Sequence, residues 1–206
     1  LVNRFHDRNE LDLNRVSQVK QDAPWFLNAL VEILSKITLE HPSARVYFVH
    51  GWNVVHPVCD IGIGLRQKGG ALVRAGRGEP TLETNFFRNV VLPFKALAAR
   101  NEIDVAIGRR YAAEAKNNFM QVFSPRFVED ESGQGRKLAS MTSEGKINAA
   151  QLELGVGLRW PGKQRDAFAH VFGQTLGNHT NSGALRIRER KRDFSGLSFL
   201  RSASVG

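Results

Sequence analysis

Arg45-Val46-Tyr47-Phe48-Val49-His50 is the stretch on which the reading of the fold turns. It is apolar and β-rich, too short for a helix, and bounded by Pro42 and Gly51, so a strand is expected. Its near-continuous apolar character suits a strand covered on both faces, as in a parallel or mixed sheet. Working back along the chain, residues 24–40 place Leu27, Leu30, Val31, Leu34 and Ile37 at three- and four-residue spacing, which makes one apolar helical stripe. Pro24 suits the first turn, Asp22 stands ahead of it as a cap, and His41-Pro42 ends it.

Working forward, residues 58–65 predict a second strand. Residues 67–80 contain Gly69, Gly70, Gly76 and Gly78 and predict a loop or hairpin. Residues 84–101 predict a helix kinked or split by Pro93. Residues 103–107 predict a third strand, residues 117–123 are ambiguous, and residues 132–145 are polar and glycine-containing and predict a loop. Residues 148–154 (Asn-Ala-Ala-Gln-Leu-Glu-Leu) predict another strand and residues 163–176 a last helix. Strands alternating with helices predict an α/β fold. The expected architecture is a three-layer α/β/α sandwich with a mostly parallel, mixed central sheet. Residues 1–183 are expected to form one domain and residues 184–206 a basic tail.

Composition excludes several classes. At 206 residues and 42% hydrophobic, the chain can bury a sizeable core. A single cysteine, Cys59, forms no internal disulfide. No apolar run approaches the ~20 residues that span a bilayer, and no secretory signal is legible, so the expected location is the cytoplasm and no membrane partner is expected. The net charge of +9 invites a nucleic-acid reading. Yet residues 184–206 hold six basic and two acidic residues, a charge of +4, which leaves +5 for the rest. No zinc-finger, RNA-recognition or helix-turn-helix signature accompanies it, so a basic nucleic-acid-binding or non-catalytic α/β module stands as the alternative to an enzyme.

Chemistry in α/β sheets gathers at the carboxyl ends of strands. His50, followed by Gly51, could present a neutral imidazole to a metal, or sit hydrogen-bonded in a turn. Glu153, among apolar neighbours, could be a general base or ligand, or face solvent by strand alternation while the leucines face inward. Arg15, beside Asn14 in Asp12-Leu13-Asn14-Arg15, offers a planar fork for a carboxylate, or a surface ion pair with an acid. Arg109 and Arg110 follow the third strand and could contact an anion. A serine α/β-hydrolase needs a Gly-x-Ser-x-Gly elbow, and Ser132, Ser143, Ser182, Ser195 and Ser198 all lack the flanking glycines. The glycines at 62–78 are followed by no Gly-Lys-Ser/Thr, which removes a phosphate-loop reading.

Taken in order, Asp-Leu-Asn-Arg at 12–15, a strand ending in His50, Cys-Asp-Ile-Gly-Ile-Gly at 59–64 and Gln-Leu-Glu at 151–153 resemble the N-formylglutamate amidohydrolase family, a group related in fold to zinc carboxypeptidases. The resemblance covers roughly residues 8 to 175. It implies a zinc or other divalent-metal hydrolase cleaving an amide in a small acidic N-acyl amino acid. His50 would be a metal ligand, Glu153 the base acting on a metal-activated water, Gln151 an orienting group, and Asn14 and Arg15 holders of the substrate carboxylate. The family usually has serine after this histidine, whereas Gly51-Trp52 follows here. The family's remaining metal ligands lie ahead of its Asp-Leu-Asn-Arg segment, and they are expected upstream of Leu1. His6 and Asp7 are expected to be a surface pair.

Overall fold

The computed structural model describes residues 12–76, 78–125 and 133–177. The basic tail at 184–206, the His6/Asp7 pair and His179 lie outside the described residues. Two helices, α1 (Val16–Asp22) and α2 (Pro24–Glu40), precede strand β1 (Ala44–Gly51) and strand β2 (Val58–Gly62). A short hairpin follows, β3 (Arg66–Lys68) and β4 (Ala71–Val73). Next come α3 (Thr84–Phe86), a π turn (Phe87–Val91), α4 (Leu92–Arg100) and β5 (Asp104–Ile107). A 3-10 turn (Phe119–Phe123), α5 (Gly133–Ser143), β6 (Ile147–Leu154), a second 3-10 turn (Val156–Leu158) and α6 (Lys163–Gln174) complete the order.

The fold is α/β. The main sheet runs β1-β6-β2-β5. β1 pairs parallel with β6 and β2 parallel with β5, while β2 and β6 are antiparallel. The sheet is therefore two parallel pairs joined back to back, and the carboxyl ends of β5 and of β1/β6 point in opposite directions. Every residue of β6 is buried, because it has a strand on each side and helices over both faces. Alternation divides it between two cores. Ala150, Leu152 and Leu154 belong to one with Phe87, Phe94, Phe168 and Val171. Ile147 and Ala149 belong to the other, with Leu27, Val31, Phe119 and Leu138. Gln151 and Glu153 continue this second row toward the end of the strand.

Pro93 has the effect expected of it, in a particular form. It cannot donate to the carbonyl four residues back, and its ring crowds that carbonyl. The helix widens into a π turn just ahead of it, with the Leu92 N–H reaching the Phe87 carbonyl. The expected loop at 132–145 is instead largely helix. Gly133, Gly135 and the serines depress local propensity, but Leu138, Ala139, Met141 and Thr142 form one buried stripe against the second core, and packing decides the outcome. Helix α1 has no counterpart in the sequence reading. Its Val16 and Val19 are buried, too short a pattern to register in a window of eleven or more residues.

Candidate functional site

Register across three strands sets one row of side chains. His50 of β1 is the Cα partner of Glu153 of β6, and Glu153 is the Cα partner of Asp60 of β2. All three therefore project to the same face, the one covered by α1, α2 and the first 3-10 turn. Alternation does not turn Glu153 to solvent, as one reading of the strand allowed. The face that β6 turns away from its leucines is itself covered, and Glu153 is only 7% exposed.

Glu153 is held by Gln151, two residues back on the same face, whose Nε2 donates to Glu153 Oε1 at 2.6 Å. Asn118 Nδ2 in turn donates to Gln151 Oε1 across a longer 3.4 Å. Burial pushes the Glu153 carboxyl above the ordinary carboxylate range. The Gln151 donor pulls against this, and the negative charge of Asp60 adds to it. A buried carboxyl whose pKa is raised above the usual carboxylate range suits general acid–base work.

Asp60 plays a different part. Its Oδ1 accepts the Arg109 N–H at 3.1 Å, and its Oδ2 accepts those of Arg110 at 2.6 Å and Tyr111 at 2.8 Å. The three amide donors fix the loop against β2. Sequence reasoning placed Arg109 and Arg110 at the site because they follow a strand; β5 lies at the other edge of the sheet from β1, but its Ala106 is level with Asp60, so the strand ends one residue past the row. The loop reaches the site by folding back over the sheet face. Gly108 permits the turn with φ +62°. Gly62 permits the passage, since a Cβ there would lie 2.5 Å from the Tyr111 carbonyl oxygen.

His50 presents a buried Nε2 with no hydrogen-bond partner. Burial lowers its pKa, so the imidazole is neutral at pH 7, and the Asp12 carboxylate opposes that shift. Asp12 folds its own segment: Oδ1 accepts the Asn14 N–H at 2.9 Å and Oδ2 the Arg15 Nε–H at 3.1 Å. The segment is tied to the site through Asn118. The Phe119 N–H donates to the Asn14 carbonyl at 2.7 Å, and Arg15 forms a bridge with Asn118. The Arg15 side chain is exposed and ion-paired to Asp12, and Arg109 is ion-paired to Asp104 at the far end of β5. The structure thus gathers His50, Glu153 and Gln151 side by side, brings the Asn14–Arg15 backbone alongside them, and turns the Arg109 guanidinium away.

Beyond the end of β1, Trp52 and Tyr111 meet edge to face with ring centroids 5.4 Å apart, and the Arg110 guanidinium lies over both. Arg159 follows β6 and has a structural part. It donates to the carbonyls of Leu154 and Trp52 and ties down the turn that follows His50. His41, His56 and His170 are exposed and stand apart from the row.

Sequence reasoning assigned no role to Asp60 or Asn118. The signal for Asp60 was the one that singled out Glu153, an acid within an apolar strand (Val58-Cys59-Asp60-Ile61). Asn118 carried none. Its side chain caps the 3-10 turn by accepting the Met120 N–H at 2.8 Å. Asn118→Ala is expected to destabilise the fold by ~1 kcal/mol, the usual cost of losing such a cap, measured as a lowered midpoint of urea unfolding.

Among the described residues no group of three His, Cys, Asp or Glu side chains converges as a metal site. His50 fits a metal donor by its orphaned Nε2. Asp60 does not, because its oxygens are already taken by backbone N–H groups. No helix in the described residues is long and apolar enough to cross a membrane. No protein-family model, curated protein or solved structure matches the chain.

Proposed function

We propose that this chain is a hydrolase cleaving an amide bond in a small N-acyl amino acid of the N-formylglutamate kind. One observation carries the reading: the buried Glu153 carboxyl, inclined to hold a proton, lies in register with a neutral histidine whose Nε2 has no partner. Glu153 takes a proton from the attacking water and returns it to the leaving amine. Gln151 holds the carboxyl in orientation. His50 would be one ligand of a divalent metal, zinc by analogy with the family the motifs resemble, and such a metal would supply Lewis-acid polarisation of the amide carbonyl.

The test is release of formate from N-formyl-L-glutamate by purified protein, with metal content measured by mass spectrometry on the same sample. Activity that requires stoichiometric zinc or another divalent ion, with both lost in His50→Ala, is the expected result. Full activity in His50→Ala, or protein that neither holds metal nor hydrolyses any of a panel of N-acyl amino acids, overturns the proposal.

A further inference from the structure

We infer that Arg110, whose guanidinium lies over the Trp52 and Tyr111 rings on the loop anchored to Asp60, is the residue that grips a carboxylate of the bound molecule. The assignment deepens the hydrolase reading and rests on it for the identity of the substrate class. It does not rest on it for the existence of the anion site.

Three observations single out this arginine. The first is position. The Arg110 N–H donates to Asp60 Oδ2 at 2.6 Å, and Asp60 is the Cα partner of Glu153, so the guanidinium springs from a backbone anchored one strand away from the proposed base. The second is posture. Its carbon lies 5.4 Å from the Trp52 ring centroid and 5.8 Å from that of Tyr111. The two rings stand 78° apart, and a cation–ring contact of this kind holds the guanidinium without consuming the donors of the fork that matches a carboxylate. The third is that the other arginines near the site are spoken for. Arg15 pairs with Asp12, Arg109 with Asp104 and Arg66 with Glu114, while Arg159 is bound to two backbone carbonyls. No carboxylate among the described residues pairs with Arg110. Holding a long side chain in one posture beforehand reduces the entropy lost on binding, which is the physical use of the two rings. The ligand class that fits is a small molecule carrying a carboxylate, with its reactive amide held toward Glu153.

Titration calorimetry with glutarate, a carboxylate probe lacking the amide, tests the site without requiring turnover. Hydrolysis of N-formyl-L-glutamate is measured in parallel. Glutarate is expected to bind the full-length protein, and Arg110→Ala to weaken it by roughly 10- to 100-fold, the scale of a charge-assisted fork. Arg110→Lys should recover only part of that loss, because an ammonium lacks the planar fork. Arg109→Ala should change binding less than about twofold, as befits an exposed ion pair. Arg110-dependent glutarate binding in a protein without amidase activity would uphold the carboxylate site and sink the hydrolase reading. Amidase activity with glutarate binding unchanged in a folded Arg110→Ala would do the reverse. Absence of glutarate binding to wild type, or equal losses in Arg109→Ala and Arg110→Ala, also overturns the assignment.

Discussion

Glu153→Gln is expected to lower N-formyl-L-glutamate hydrolysis by ~10²- to 10⁴-fold, the range a positioned general base supplies, while the protein stays folded. Glutamine keeps the shape and still offers an oxygen to the Gln151 donor, but it cannot take a proton from water. The same variant has a thermodynamic signature that a purely structural residue would lack. In the native state the Glu153 pKa is raised by burial, so between the ordinary carboxylate pKa and the raised one the folded protein binds the proton that the unfolded chain has released. Stability contributed by this group is therefore full at acid pH and falls as pH rises through that window. Glutamine removes the dependence. Glu153→Gln should melt higher than wild type at pH 8, by roughly 2–4 °C for each kcal/mol of relief in a chain of this size, and the gap should close at pH 4. Wild-type activity should follow the opposite course, rising with pH as the carboxyl deprotonates, with its acid limb above the usual carboxylate range. A variant that melts lower than wild type at both pH values, or retains activity, would remove Glu153 from the proposed role.

The second large effect is on stability. Asp60→Ala leaves the N–H groups of Arg109, Arg110 and Tyr111 without their acceptor. At about 1 kcal/mol for each of the three, the loss is ~3 kcal/mol, a fall of roughly 6–12 °C in melting temperature. The loop that carries Arg110 and Tyr111 would lose its anchor, so glutarate binding should fall with it. Asp60→Asn keeps one acceptor oxygen and should lie between the two. It also removes a negative charge that raises the Glu153 pKa, so its acid limb should move to lower pH. A melting temperature for Asp60→Ala within about 1 °C of wild type would show that the loop is held by other means.

The residues show where sequence reasoning had a physical signal and where it had none. Pro24, the stripe from Leu27 to Ile37 and the stop at His41-Pro42 read directly as α2, since spacing, first turn and exit agree, but Asp22 does not cap it: Asp22 ends α1, and Ala23 stands at the N-cap with no side-chain bond. The strands carrying His50 and Glu153 were legible because apolar runs too short for a helix have few alternatives. Residues 133–143 were not, because Gly133 and Gly135 argue for a loop and only contact with the second core makes a helix there. Glu153 could be recognised as an acid in apolar company, but spacing along one strand does not tell which face is covered. Helices over both faces of β6 do.

Local chemistry along the chain thus determined the α/β class, the main helices and strands, and the presence of His50 and Glu153 at strand ends. Periodicity and turn residues act over a few positions, and a sequence carries that information openly. Tertiary structure alone decided that β1 and β6 run together while β2 and β5 run against them, and this register sets His50, Glu153 and Asp60 in one row. It alone decided that the loop after β5 folds back onto Asp60, setting Arg110 against Trp52 and Tyr111 and Arg109 against Asp104. Strand direction and loop path depend on contacts between residues about 50 positions apart, as between Asp60 and Arg110, and no local pattern encodes them.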